Sequence, residues 1–240
     1  DTFRPHQEEI IHHVLDGGHA LVIMPTGGGK SVCFQLPAII KEGFALVISP
    51  LISLMNDQVR SLRANGINSG ALHSGTSAEE SREIMYHIHN GTLKILYVSP
   101  ERALTPKFLE FIAPLKVSLI AIDEAHCVSI WGNDFRPEYA QLPGLMQYFP
   151  DVPVLALTAT ADRATQEDIR QQLRLKEPKT YLSSFERSNI QLSVRAGIQR
   201  IEQIKDFIKA RKGQAGIIYC LARKTTESIA EALQKYGYKA

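Results

Sequence analysis

A short apolar run, Ala20-Leu21-Val22-Ile23, passes through Met24-Pro25-Thr26-Gly27-Gly28-Gly29-Lys30-Ser31 into an amphipathic stretch, Val32-Cys33-Phe34-Gln35-Leu36. That order asks for a buried strand, a tight glycine turn and a helix that begins at once. Consecutive glycines let backbone N–H groups turn inward around an anion, and the N-terminus of the new helix adds its partial positive charge. Thr26, Gly27, Gly28 and Gly29 would form the cradle for a nucleotide phosphate. Lys30 is placed to reach the β- and γ-phosphates, and Ser31 to offer its hydroxyl to Mg²⁺. One position departs from the usual pattern, whose first glycine is Met24 here. A glycine turn that only caps a helix would leave Gly-Lys-Ser at a strand–helix junction unexplained.

Similar apolar runs return along the chain. Phe44-Ala45-Leu46-Val47-Ile48 and Lys94-Ile95-Leu96-Tyr97-Val98 each stop at Ser-Pro, Leu119-Ile120-Ala121-Ile122 delivers Asp123-Glu124-Ala125-His126, and Val154-Leu155-Ala156-Leu157 delivers Thr158-Ala159-Thr160. Ala71-Leu72-His73 is a weaker strand candidate. Between the runs lie helical patterns: Ile10, Ile11, Val14 and Leu15 before Gly17-Gly18; Leu51, Leu54, Met55, Val59 and Leu62 before Gly66; and Ile84, Met85 and Ile88 after the capping-box spacing of Ser77 to Glu80. Strands without alternation, separated by helices, predict an α/β fold with a parallel sheet covered on both faces. In such sheets ligands sit at the carboxyl ends of the strands, where each polar cluster falls. From about Lys179 the rhythm loosens through Ser183-Ser184-Phe185-Glu186-Arg187-Ser188-Asn189, which reads as a crossing to a second domain. There Ile201, Ile204, Phe207 and Ile208 predict a helix face, Gly216-Ile217-Ile218-Tyr219-Cys220 a strand, and residues 226–236 a helix with Ile229 and Leu233 inward.

Composition sets outer bounds. A chain of 240 residues with 44% hydrophobic and 22% charged residues has the make-up of an ordinary globular protein. No apolar run approaches the ~20 residues of a membrane span, and no signal-peptide pattern opens the chain. Cys33, Cys127 and Cys220 are isolated, with neither a CxxC pair nor a disulfide framework, which favours a reducing compartment. A net charge of +2 is too small to indicate nucleic acid, so any such partner must be argued from local sites. His12 and His13 read as helix-surface residues. Asp1 and Ala240 read as cut edges rather than natural termini.

Asp123-Glu124 after an apolar run suits the acidic half of a hydrolytic phosphate site. One carboxylate would hold Mg²⁺, and its neighbour would orient and deprotonate a water. Taken alone, the pair could be an acidic loop start that caps a helix.

The phosphate loop, Asp123-Glu124-Ala125-His126 and Thr158-Ala159-Thr160 resemble the ordered motifs of superfamily 2 helicases. More narrowly, Phe3-Arg4-Pro5-His6-Gln7, Ser49-Pro50-Leu51-Ile52-Ser53-Leu54-Met55 and the segment from Cys127 to Tyr139 resemble the RecQ family of DNA helicases. Within that segment, Trp131-Gly132-Asn133-Asp134-Phe135-Arg136-Pro137-Glu138-Tyr139 is similar to an aromatic-rich loop that sets that family apart. The resemblance implies a RecA-like ATP-binding domain over residues 1–187 and the N-terminal part of a second RecA-like domain over 188–240. It implies Mg·ATP hydrolysis, 3′-to-5′ movement on single-stranded DNA, unwinding of forked duplexes, and roles in recombination and repair. Arg4 and Gln7 would contact the adenine, and Gln7 suits this because an amide both donates and accepts. Ser49, Ser99 and Arg102 would contact the DNA backbone, although both serines also suit helix caps. Thr158 and Thr160 would link hydrolysis to domain movement, and His126 would relay between the γ-phosphate site and the loop. Trp131, Phe135 and Arg136 would stack on an unpaired base and neutralise a phosphate.

The resemblance further implies a zinc-binding region and accessory domains beyond residue 240, and a cytoplasmic site in a bacterium or a nuclear one in a eukaryote. Residues 1–240 alone are expected to turn ATP over very slowly. Other readings of the same residues are a superfamily 2 RNA helicase, a translocase that does not unwind, or an ATP-gated DNA-binding module.

Overall fold

The apolar runs become neighbours in one sheet. A computed structural model of the chain describes residues 2–129, 134–184 and 190–240. The chain divides into two compact units, Asp1–Glu186 and Arg187–Ala240.

In the first unit the chain runs through α1 (Gln7–Leu15), β1 (Ala20–Ile23), α2 (Val32–Ile40), β2 (Phe44–Ile48), α3 (Ile52–Ala64), β3 (Ser69–Leu72) and α4 (Ala78–His89). It continues through β4 (Ile95–Val98), α5 (Pro100–Ala103), α6 (Pro106–Ile112), β5 (Val117–Ile122), a 3₁₀ turn at Ala125–Val128, α7 (Pro137–Met146), β6 (Val154–Thr158), α8 (Arg163–Gln172) and β7 (Lys179–Leu182). The seven strands form a parallel sheet in the order β3-β4-β2-β5-β6-β1-β7. Register aligns their carboxyl ends: Ile23 lies beside Thr158, and Ile48 beside both Val98 and Ile122. One edge of the sheet therefore collects the residues that follow β1, β6, β5, β2 and β4.

Each strand from the centre of the sheet feeds two cores, because successive side chains point to opposite faces. Leu21, Ile23, Leu46, Ile48, Leu96, Ile120 and Ile122 pack with α4 to α8 through residues such as Ile84, Phe108, Leu142 and Ile169. Ala20, Val22, Ala45, Val47, Ile95, Leu119 and Leu155 pack with α1, α2 and α3 through Ile10, Phe34, Met55 and Val59. Burial on both faces explains why the runs show no polar alternation. Leu46 is fully buried, so Leu46→Ala is expected to lower stability by about 2–5 kcal/mol. The check is a denaturant midpoint that falls while the slope stays constant; a loss below about 1 kcal/mol would mean that the layer repacks around the gap.

Local signals also hold. Ser77 accepts a hydrogen bond from the Glu80 N–H at 3.1 Å and caps α4. Met24, the departure from the glycine pattern, extends β1 by donating its N–H to Thr158 O at 3.1 Å, and its side chain is buried in the core. The position serves packing, which a glycine would leave empty.

Three expectations need correction. The segment from Lys179 is not yet a linker: it is strand β7, paired in parallel outside β1. Only Tyr181 of this strand is buried, so an edge position left no apolar run to read. His13 is half-exposed on α1, with its Nε2 2.9 Å from His19 O. In the second unit, residues 216–220 form no strand, and Ile217 and Tyr219 are 79% and 89% exposed. A strand is held by its ladder, and among the described residues this unit has no other strand to pair with. The unit consists of α9 (Arg200–Lys209) and α10 (Arg223–Lys235), with Leu233 buried and the Lys205 ammonium 3.6 Å from the Tyr236 ring centre. Ile201, Ile204 and Ile208 are half-buried as expected of an inward face, but Phe207 is exposed and carries the Arg211 guanidinium over its ring.

No helix among the described residues is long and apolar enough to cross a membrane.

Candidate nucleotide-binding and hydrolytic site

The turn after β1 needs its glycines. Gly27 and Gly29 have φ of +78° and +85°, a region that side chains with a Cβ disfavour. At Gly28 an added Cβ would lie 2.8 Å from the Pro25 carbonyl oxygen, and at Gly29 it would run into the Gln7 amide. The loop is therefore closed too tightly for any other residue at these positions. Lys30 folds back to donate to Met24 O at 3.1 Å, and Ser31 stands at the start of α2, which has no side-chain cap.

Arg4 and Gln7 grip this loop from outside. Arg4 donates through its guanidinium to Gly27 O, and Gln7 donates through Nε2 to Gly29 O at 3.0 Å. Gln7 also accepts the Arg4 N–H at 2.8 Å, which turns the chain into α1. Gln7 is 5% exposed, so it is a buried strut of the glycine turn and not an outward helix residue. One amide hydrogen of Gln7 stays available for a base edge.

Asp123 and Glu124 arrive from β5, two strands away from β1. Burial pushes the Asp123 carboxyl up to about 6, and the neighbouring Glu124 charge adds to this, while the nearby Lys30 ammonium and Ser49 hydroxyl act in the opposite direction. A half-buried carboxylate within electrostatic reach of a lysine and of a second carboxylate is suited to a cation, and Ser31 and Asp123 are the residues here that could hold Mg²⁺. Glu124 adopts a left-handed backbone, φ +49° and ψ +45°, at a cost of about 1 kcal/mol for a residue with a Cβ. This turn sends its carboxylate toward His126, whose Nδ1 lies 3.3 Å from Glu124 Oε2.

His126 is also tied to β6. Its Nδ1 is 2.9 Å from Thr158 Oγ1, which donates to Thr160 O and accepts the Thr160 N–H, both at 3.1 Å. Because the Thr158 hydroxyl proton is spent on Thr160, Nδ1 must be the donor in the histidine contact. Glu124, His126, Thr158 and Thr160 thus form one connected polar chain across β5 and β6.

On the other side of β5 the structure places Ser49 and Ser99. Ser49 is buried and faces the Asp123 carboxylate without a hydrogen bond of standard geometry. The helix-cap alternative fails for both serines: α3 begins from Leu51, and Ser99 makes no side-chain cap bond to α5. Among the described residues, the Ser99 hydroxyl and Arg102 Nε are buried without partners, which is costly unless a ligand supplies them.

Trp131 lies outside the described residues. Phe135 is 39% exposed, and Arg136 leads into α7, donating its N–H to Cys127 O at 2.9 Å and through its guanidinium to Pro50 O at 3.4 Å. Three contact groups involve residues to which the sequence alone assigned no role. Tyr139 is fully buried and donates its hydroxyl to Asp123 O at 2.9 Å. Gln35 on α2 donates to Gln58 Oε1 at 2.8 Å and to the Tyr97 hydroxyl at 3.2 Å, joining the phosphate-loop helix to α3 and β4. The signal for Tyr97 was available, since a buried phenol within an apolar strand needs a partner. Cys127 and Asp134 meet at 3.6 Å, and burial together with Asp134 pushes the thiol up to about 12.

The comparisons with known proteins agree with this geometry. The profile of the DEAD/DEAH box helicase family matches residues 4–169. Over the whole chain, 51% of residues are identical to the ATP-dependent DNA helicase RecQ of Haemophilus influenzae, and the match covers 39% of that protein. The RecQ protein of Bacillus subtilis is 40% identical over 100% of the chain and 41% of its own length. The chain thus spans about two fifths of the length of these curated relatives. Among solved structures, the DUF1998 helicase MrfA superposes with a TM-score of 0.72 at 19% identity, over 99% of this chain and 39% of that one, a likeness of fold. The RecQ resemblance read from the aromatic-rich segment therefore extends along the full sequence, and the chain belongs to the DEAD/DEAH box helicase family.

Proposed function

We propose that this chain is the ATP-binding part of an ATP-dependent DNA helicase that moves 3′ to 5′ on single-stranded DNA and opens forked duplexes in recombination and repair. The observation that carries this reading is the order of strand tips along one sheet edge. The phosphate loop, Thr158 and Asp123-Glu124 lie at the carboxyl ends of the adjacent strands β1, β6 and β5, while Ser99 and Arg102 follow β4, with Ser49 just after β2 between the two groups. A nucleotide and a DNA backbone would then lie side by side, joined through one strand.

In this reading Lys30 leaves the Met24 carbonyl for the β- and γ-phosphates. Ser31 and Asp123 would hold Mg²⁺, which would neutralise phosphate charge when bound. Glu124 takes the proton of the attacking water, and His126 passes the change at Glu124 to Thr158 and Thr160. Arg4 and Gln7 keep the loop closed and offer their remaining donors to adenine. Ser99 and Arg102 take phosphate oxygens of DNA, contacts that carry no base information and suit a motor. Residues 188–240 are the opening part of a second RecA-like domain, and the relatives' greater length accommodates zinc-binding and accessory domains.

The test is calorimetry with Mg·ATP on the wild-type chain and on Lys30→Ala. Loss of a charge-assisted contact of about 1.5–3 kcal/mol is expected to weaken binding by at least about tenfold. Equal affinities would reject the phosphate-loop assignment. Comparing stimulation of phosphate release by single-stranded DNA, duplex DNA and RNA in the full-length protein tests the substrate, and preference for RNA or duplex would replace the DNA-unwinding reading.

A further inference from the structure

We propose that His126, Cys127 and Asp134 form a binding site for Zn²⁺, separate from the Mg²⁺ site. One ligand atom from each lies within 4.8 Å of the others. Sequence spacing does not announce this set. The 3₁₀ turn after β5 presents His126 and Cys127, and the backbone bond from Arg136 N–H to Cys127 O draws the return of the loop, with Asp134, back against them.

The donor set is nitrogen, sulfur and oxygen, which suits a borderline-soft ion better than Mg²⁺ or Ca²⁺. Spacing agrees as well. Zinc bonds of about 2.3 Å to sulfur and 2.0 Å to oxygen at a tetrahedral angle put the two ligands about 3.5 Å apart. Cys127 Sγ and Asp134 Oδ2 are 3.6 Å apart. In the metal-free chain this contact is an S–H···O hydrogen bond, so a zinc ion would take the place of the thiol proton.

An independent feature concerns His126. Zinc-bound histidines commonly donate their other ring N–H to a carboxylate or another fixed acceptor, which sets the tautomer. His126 has this arrangement already: Nδ1 is held by Thr158 Oγ1 at 2.9 Å and by Glu124 Oε2 at 3.3 Å, leaving Nε2 as the nitrogen with a lone pair to offer. Cys127 is fully buried, whereas the Asp134 side chain is 55% exposed, so an ion enters from the Asp134 side and keeps water as its fourth ligand. Binding balances as the thiol plus Zn²⁺ giving a zinc thiolate and one proton released to solvent. An occupied site would fix the ring that connects Glu124 to Thr158. Its influence on turnover rests on the helicase reading, but the existence of the site does not.

Co²⁺ is the spectroscopic probe, used on the 240-residue chain. The expected result is a thiolate-to-cobalt charge-transfer band that saturates at one equivalent, is displaced by Zn²⁺, and is accompanied by proton release into a weak buffer. Cys127→Ser should abolish the band. Asp134→Asn, at a partly exposed position where folding is not at stake, should weaken Co²⁺ affinity by about tenfold or more. Cys220→Ser should leave band and affinity unchanged. No band in the wild-type chain, a band that survives Cys127→Ser, or unchanged affinity in Asp134→Asn overturns the proposal.

Discussion

Glu124→Gln is expected to lower DNA-stimulated ATP hydrolysis by about 10²–10⁴, the range associated with removing a positioned general base. Nucleotide affinity should stay within a few-fold of wild type. Glutamine keeps the shape and the left-handed turn at this position but cannot accept the proton of the attacking water. The contrast with Lys30→Ala is diagnostic, since that change acts on binding. Steady-state phosphate release and calorimetry in the full-length protein separate the two. A Glu124→Gln enzyme with more than about a tenth of wild-type turnover would remove Glu124 as the base and shift attention to Asp123.

The distinction between these carboxylates comes from their surroundings. Asp123 is half-buried within the electrostatic reach of Lys30 and Ser49, with its backbone carbonyl held by Tyr139. Glu124 is turned by its backbone away from that cluster and toward His126. One carboxylate is therefore placed where the proposed metal would be held, and the next is connected to a hydrogen-bonded chain that ends at Thr160.

How much of this could be read from the sequence follows from how local each signal is. The phosphate loop and Asp123-Glu124 lie within a few residues of a strand end, and a strand buried on both faces is legible as an apolar run. Their convergence then follows from a parallel sheet. Edge strand β7 was missed because only Tyr181 needed burial. Residues 216–220 were over-read because an apolar run shows readiness to pair, whereas a strand also needs a partner. Contacts such as Tyr139 to Asp123, Gln35 to Tyr97 and Cys127 to Asp134 join segments whose meeting depends on helix packing and loop return, which residue spacing alone does not encode. Gln7 stood out in the sequence as a candidate adenine contact, but its burial and its bonds to the loop did not: its amide is used largely by the turn it supports.

Arg136→Ala is expected to bring DNA-stimulated ATPase close to the DNA-free rate while leaving Mg·ATP affinity nearly unchanged. Arg136 stands where two connections diverge. Its guanidinium reaches Pro50 O, immediately after Ser49 at the end of the strand β2 that separates the proposed nucleotide and DNA groups. Its backbone opens α7, whose Tyr139 holds the carbonyl of Asp123. A base stacked on the neighbouring Phe135, an interaction worth about 1–3 kcal/mol, would press on the same turn. DNA could then shift Pro50 and Asp123 together, moving the metal carboxylate and the water-activating residue beside it. A packing role alone predicts a different outcome: Arg136→Ala would lower the melting temperature and weaken ATP binding along with turnover. Arg136→Lys separates charge from geometry, because lysine keeps the cation but lacks the planar fork. If Arg136→Ala and Arg136→Lys both retain full stimulation and normal unwinding, the loop packs the domain and does not couple DNA to hydrolysis. If lysine restores DNA affinity without restoring stimulation, the bond to Pro50, rather than the charge, carries the coupling.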